Sequence, residues 1–124
     1  MNLPQVILSH WNANQGDLPA LWLEYAPAEY LPPIAIMEPT GFARDHANKP
    51  FFFDTHKYRF TVLGIDAVQS YENGFAAITM MDGFTCAGFI NLTIQPEQYA
   101  TPFSTGQANV WAFEFSIEFL ITPS

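Results

Sequence analysis

Apolar and polar positions alternate most regularly near the C-terminus, in VWAFEFSIEFLIT (residues 110–122), where Trp111, Phe113, Phe115, Ile117, Phe119 and Ile121 interleave with Ala112, Glu114, Ser116 and Glu118. A period of two sends all six large side chains to one face of a strand. Thirteen residues exceed the usual five or six, so part of this strand is expected to reach beyond its own sheet. HKYRFTVLGID repeats the pattern, with Tyr58, Phe60 and Val62 against Lys57, Arg59 and Thr61: one apolar face, one basic face. ALWLEYA and PPIAIMEPT alternate more briefly, on either side of an APAEYL connection, and FINLTIQPE reads as a further strand ended by Pro96.

Two stretches change period. In LPQVILSHWN, Leu3, Val6, Ile7, His10 and Trp11 recur at spacings of three and four, which predicts a short N-terminal helix with Pro4 in its first turn. Asp66 followed by Gln69, with Ile65 ahead of it, is a capping-box signal. Val68, Tyr71, Phe75 and Ile78 then follow at helical spacing up to Asp82-Gly83, and they are the residues expected to face the sheet. Gly74 within this helix costs about 1 kcal/mol relative to Ala, so a close approach of helix to sheet is the natural reason for it. Residues 41–56 show neither period and are expected to form a long loop, a length that in a small domain is usually functional; EQYATPFSTGQAN is expected to be loop too. The sum is an α+β fold in a single domain spanning residues 1–124. It has one mainly antiparallel sheet, a helix packed on one face, a short N-terminal helix, and loop 41–56 as a projecting interaction segment.

Composition sharpens the reading of that loop. Of 124 residues, 49% are hydrophobic and 16% aromatic, but only 13% are charged, and the net charge is −8. All four basic residues, Arg44, Lys49, Lys57 and Arg59, fall within residues 44–59, which carry +2, against −10 for the rest of the chain. An apolar-rich, charge-poor surface favours association, and so few cations cannot grip nucleic acid. No apolar run is long enough to span a membrane and no signal peptide is evident, so a soluble protein with no membrane partner is expected. Cys86 alone excludes an intrachain disulfide and a multi-cysteine zinc site, and FTCAGF reads as a buried small hydrophobe. NLT at Asn91 reads as a chance sequon.

Catalytic motifs are lacking: there is no GxSxG, P-loop, GxGxxG or HExxH. Asp45-His46 and Asp54-x-His56 permit two imidazoles and a carboxylate to meet, the donor set of an open zinc or iron site, although local hydrogen bonding is the simpler reading. His10 is expected to be half-buried beside Trp11. Glu24, Glu38, Glu114 and Glu118 read as a solvated acidic face. No metal, cofactor or catalytic residue is assigned. Phe51, Phe52 and Phe53 point to alternate sides of an extended segment, so at least one ring needs cover, from the domain itself or from a neighbouring subunit.

The chain resembles the small tail-terminator or tail-completion proteins of long-tailed bacteriophages. The resemblance spans most of residues 3–121 and rests on length, on element order, and on two stretches: LWLEYAPAEYLPPIAIMEPTG, a proline-punctuated hairpin entering the sheet, and YRFTVLGIDAVQSYENGFAAI, a strand feeding a helix. It implies a non-enzymatic virion protein, made in the host cytoplasm, that forms a ring of about six copies at the head–tail junction. Its partners would be its own copies, the tail tube and neck or connector proteins, with DNA passing through but not specifically bound. A ring needs two unlike patches on each subunit. Arg44, Lys49, Phe51, Phe52, Phe53, Lys57 and Arg59 are the expected interface residues, meeting an acidic strand face of the next copy. Another neck or tail component, or a small α+β enzyme or ligand-binding protein, are the competing readings.

Overall fold

A computed structural model of the protein describes residues 3–24, 26, 31–45, 53–82, 84–86, 89–96 and 101–121, with backbone alone at 45, 53, 85, 86 and 89–96. The elements run α1 (Leu3–Ala13), β1 (Leu21–Leu23), β2 (Ile34–Asp45), β3 (Phe53–Gly64), α2 (Ala67–Met81), β4 (Thr85–Cys86), β5 (Phe89–Pro96), β6 (Phe103–Ser104) and β7 (Trp111–Ile121). The strands form one sheet in the order β1-β2-β3-β7-β5-β4, with β6 pairing β7. All pairings are antiparallel except β1 with β2. The fold is α+β as the pattern indicates, with the helices packed on the sheet.

The two longest alternating strands lie side by side at its centre. Gly64 pairs with Trp111 and Asp54 with Ile121, without a break between. This register explains the length of β7: rather than projecting past the sheet, it is matched residue for residue by β3. Tyr58, Phe60 and Val62 thereby share a face with Phe113, Phe115, Ile117 and Phe119, and all are buried. The Phe60 and Phe115 rings stack with centroids 5.1 Å apart. At about 1.5–3 kcal/mol per buried large side chain, this aromatic layer dominates the apolar stabilisation.

Both helices cover that layer. From α1, Leu3, Ile7 and Trp11 point inward at successive turns, and the Trp11 ring lies nearly parallel to Phe60, 6.3 Å away. Its indole N–H donates to the Pro19 carbonyl at 2.9 Å, which satisfies the polar end of a buried ring. α2 starts at the expected cap: the Gln69 backbone N–H donates to Asp66 Oδ1 at 2.7 Å, and the Gln69 side chain accepts from the Ile65 N–H at 2.8 Å.

Three expectations give way. First, the inward side of α2 is Ser70, Gly74, Ala77 and Met81, while Val68, Tyr71 and Phe75 are exposed. The cause is proximity: a Cβ on Gly74 would sit 2.3 Å from Phe113 Cδ1, and one on Gly64 2.6 Å from the Ser70 nitrogen. A helix this close to aromatic rings has room only for small residues.

Second, the segment read as a loop from 41 to 56 is largely strand. β2 and β3 continue as an antiparallel hairpin through Arg44↔Asp54 to Asp45↔Phe53. A bulge between Pro39 and Gly41 shifts the register by one residue, which breaks the alternation that identifies strands. Lys49, Phe51 and Phe52 lie outside the described residues, as does His46.

Third, β1 and β2 pair in parallel, Leu21↔Ala35 to Leu23↔Met37, not as a hairpin; alternation marks a strand but not its direction. In the stretch read as loop, β6 pairs Phe103 with Ala112.

Candidate functional site

Two surfaces carry the side chains singled out by sequence, and a third emerges from the structure. The first is the sheet face turned away from the helices. Odd-numbered residues of β3 and even-numbered residues of β7 point there, so Lys57, Arg59 and Thr61 lie beside Glu114, Ser116 and Glu118. The Arg59 guanidinium donates through Nε to Glu38 Oε1 at 3.0 Å and approaches Glu114 Oε2 at 3.9 Å. The Thr61 hydroxyl donates to the same Glu114 oxygen at 3.2 Å, and Lys57 pairs in register with Glu118. Basic and acidic residues expected on two different surfaces thus interleave on one. Glu24 is elsewhere, after β1, lining a small hollow with Pro4, Leu23 and Tyr58.

The second surface is the far end of the β2–β3 hairpin. Arg44 grips Asp54 with both branches, Nε to Oδ1 at 2.6 Å and a terminal nitrogen to Oδ2 at 2.9 Å. This bidentate contact pushes the guanidinium pKa further up. The same guanidinium lies 5.9 Å from the Phe42 ring centroid, and the Phe42 ring meets His56 edge-on at 4.9 Å. Phe42 is 60% exposed. Asp54 and His56 are therefore engaged by Arg44 and Phe42, and among the described residues no group of three His, Cys, Asp or Glu could hold a metal ion.

The third surface was not singled out by the sequence reading: the outer side of α2. Val68 is 63% exposed, Tyr71 44% and Phe75 38%, with Ile65 47% exposed just before the helix. Tyr71 and Phe75 lean on the buried Phe113, with ring centroids 6.1 and 5.5 Å from it, so the patch is a surface outcrop of the core. The available signal was the second helical series, Ser70, Gly74, Ala77 and Met81, which competes with the bulky one.

His10 is half-buried as expected, but its ring stacks on Phe84 at 3.6 Å. Its Nε2 lies 3.3 Å from the Met80 carbonyl oxygen and its Nδ1 3.3 Å from the Asn14 amide nitrogen. An open groove of about 360 Å³ runs past it, lined by Gln5, Val6, Ser9, His10 and Phe84. A single imidazole held this way offers a packing surface rather than a reactive pair. The Cys86 side chain lies outside the described residues; Asn91 lies within β5.

Comparison of the chain with protein-family models finds no match, and comparison with curated protein sequences finds none either. Among the described residues no helix is long and apolar enough to cross a membrane.

Proposed function

We propose that the protein is a non-enzymatic structural component of a bacteriophage virion, a tail-terminator or tail-completion protein that closes into a ring of about six copies at the head–tail junction, through which DNA passes. The observation that carries this reading is the apolar outcrop Val68, Tyr71 and Phe75 on α2, on a chain whose cations are all gathered in one hairpin. Unlike patches on one subunit are what a closed ring requires. The virion assignment rests on the resemblance in length and in the order of elements read from the sequence. An overall charge of −8 suits a passage that must touch DNA without holding it.

The test is the mass and shape of the purified protein. Light scattering and negative-stain imaging should show a ring of six 14.0 kDa subunits, about 84 kDa, with an open centre, and duplex DNA should not be retained at physiological salt. A discrete monomer or dimer at every concentration, or tight DNA binding, refutes the assignment.

A further inference from the structure

We propose that the hollow between the α1–β1 connection and α2 binds a guanidinium group on an aliphatic stem, the head of an arginine. It is an open space of about 280 Å³. Asn14, Gln15 and Asp17 from the connection and Asn73 from α2 make its polar side; the buried Leu18, with Ala76 and Met80, makes its apolar side. Asn73, Ala76 and Met80 belong neither to the inward series of α2 nor to its exposed aromatic outcrop, so the hollow is a separate site from the assembly surface.

The connection is folded so that its amides spend their N–H groups on the backbone. Gly16, at φ +53°, turns the chain. The Leu18 N–H then donates to the Gln15 carbonyl at 2.7 Å, and Gln15 Nε2 donates to the Leu18 carbonyl, also at 2.7 Å. Asn14 Nδ2 donates to the His10 carbonyl at 3.0 Å. These contacts fix which way each amide is turned, since an amide oxygen in either place would face a carbonyl oxygen. What they leave for a ligand is acceptors: Asn14 Oδ1, Gln15 Oε1 and the Asp17 carboxylate.

Charge and shape select the occupant. Residues 3–20 and 67–81, which form the hollow, carry Asp17 and Glu72 and no Lys or Arg. The C-terminal end of α1, next to Asn14, adds a partial negative charge. An anion is repelled, and a charged donor gains more here than a neutral one. A divalent metal is a poor fit: calcium takes roughly six to eight oxygen ligands, and Leu18, Ala76 and Met80 offer none from their side chains. Guanidinium suits acceptors contributed by several residues, because its planar fork carries donors in fixed directions. It is also more weakly hydrated than an ammonium, so its stem can lie along Leu18 and Met80. The volume falls just below the roughly 300–1,000 Å³ of pockets for drug-sized ligands, which suits one side chain. Because the loop holds its acceptors in place beforehand, the ordering cost of binding is small.

Amide NMR titration of the whole chain tests this, with acetyl-arginine methylamide as the probe and acetyl-citrulline methylamide, equal in shape but uncharged, as its control. The arginine probe should give saturable shifts confined to residues 14–18 and 73–80, and the citrulline probe should bind at least tenfold more weakly. Asp17→Asn should weaken the arginine probe at least tenfold, whereas Glu118→Gln, which removes the same charge from the far sheet face, should leave it unchanged. Ala76→Leu, which fills the hollow at a helical position that favours leucine, should abolish binding and serves if Asp17→Asn perturbs the fold. Free L-arginine bound as tightly as the blocked probe would make a small molecule the carrier; tighter binding of the blocked probe, which lacks the repelled carboxylate, would assign the group to a protein side chain. Either result keeps the site. Shifts that never saturate, citrulline binding equal to arginine, equal effects of Asp17→Asn and Glu118→Gln, or binding that survives Ala76→Leu each overturn it, and none of them bears on the ring.

Discussion

Replacing Gly74 by Ala sets two effects of opposite sign on one atom. Helix propensity favours Ala by about 1 kcal/mol, and at an exposed helical position that gain would be realised. At Gly74 the new methyl would stand 2.3, 2.6 and 2.9 Å from Cδ1, Cγ and Cε1 of Phe113, where carbon atoms rest at about 3.5–4.0 Å. The ring must therefore retreat by more than 1 Å or α2 must lift. Retreat is blocked, because Phe113 is fully buried among Tyr71, Phe75 and Phe115, at centroid distances of 6.1, 5.5 and 6.4 Å. Overpacking of this kind costs typically 1–3 kcal/mol, and with the ring hemmed in the upper part of that range applies. The expected net change is a loss of about 1–2 kcal/mol, a fall in Tm of roughly 4–8 °C for a domain of this size.

Urea unfolding followed by tryptophan fluorescence measures it, and a second substitution isolates the cause. With Phe113→Leu in the background, the planar ring is gone and the cost of Gly74→Ala should shrink by at least about 1 kcal/mol, a coupling that only residues in contact show. If Gly74→Ala is as stable as the wild type or more so, or if its cost is indifferent to residue 113, the close-approach explanation of α2 is wrong.

Three further outcomes follow from single contacts. Asp66→Ala removes the acceptor of the Gln69 N–H and should lower stability by about 1 kcal/mol in urea, whereas Asp66→Asn, which keeps a capping oxygen, should cost less. Burial raises the Tyr58 phenol above its ordinary 10.0; the unfolded chain then loses its proton first, so this contribution is intact below pH 10 and falls away as pH climbs towards the folded value. Unfolding free energies from urea titrations on the alkaline side should decline by up to about 1.4 kcal/mol per pH unit on this account, and Tyr58→Phe should remove that share of the slope. Arg59→Ala breaks contacts with Glu38 and Glu114 that are partly open to solvent, so it should cost no more than about 1 kcal/mol at low salt and less in 1 M salt.

Alternation was enough to place β3 and β7, because both run through the centre of a sheet with one apolar face and keep strict register for their full length. The start of α2 was equally legible, since Asp66 and Gln69 act locally. Directions and faces were not. Nothing in Leu21–Leu23 tells a parallel from an antiparallel neighbour. The strand ends at 41–45 and 53–55 were hidden because the bulge at Pro39/Gly41 shifts the period and because Gly41 to Arg44 are exposed, so no apolar face marks them. Among the candidate interface residues, Arg44, Lys57 and Arg59 do fall on one hairpin, but on opposite faces of it. The two arginines meet carboxylates of their own chain, partners set by cross-strand register that a one-dimensional charge count cannot show.

The misread face of α2 links the fold to the proposed assembly. Hydrophobicity alone ranks Val68, Tyr71 and Phe75 above Ser70, Gly74 and Ala77, so a helix free to roll would turn the bulky series inward and hide it. It cannot roll here, because β3 and β7 fill the space beneath with Phe60, Phe113 and Phe115, and only the small series fits at the spacing the Gly74 and Gly64 approaches set. Close packing within the subunit and apolar exposure outside it are thus one constraint. The exposed residues are consequently not neutral surface that could drift to polar types for solubility alone: Tyr71 and Phe75 brace Phe113 from one side and stand open on the other. On that account, polar substitution at Tyr71 or Phe75 should weaken both stability and association. Substitution at Val68, the most exposed of the three at 63%, should weaken association alone, and a Val68→Glu protein that loses stability in parallel with assembly would dissolve the distinction.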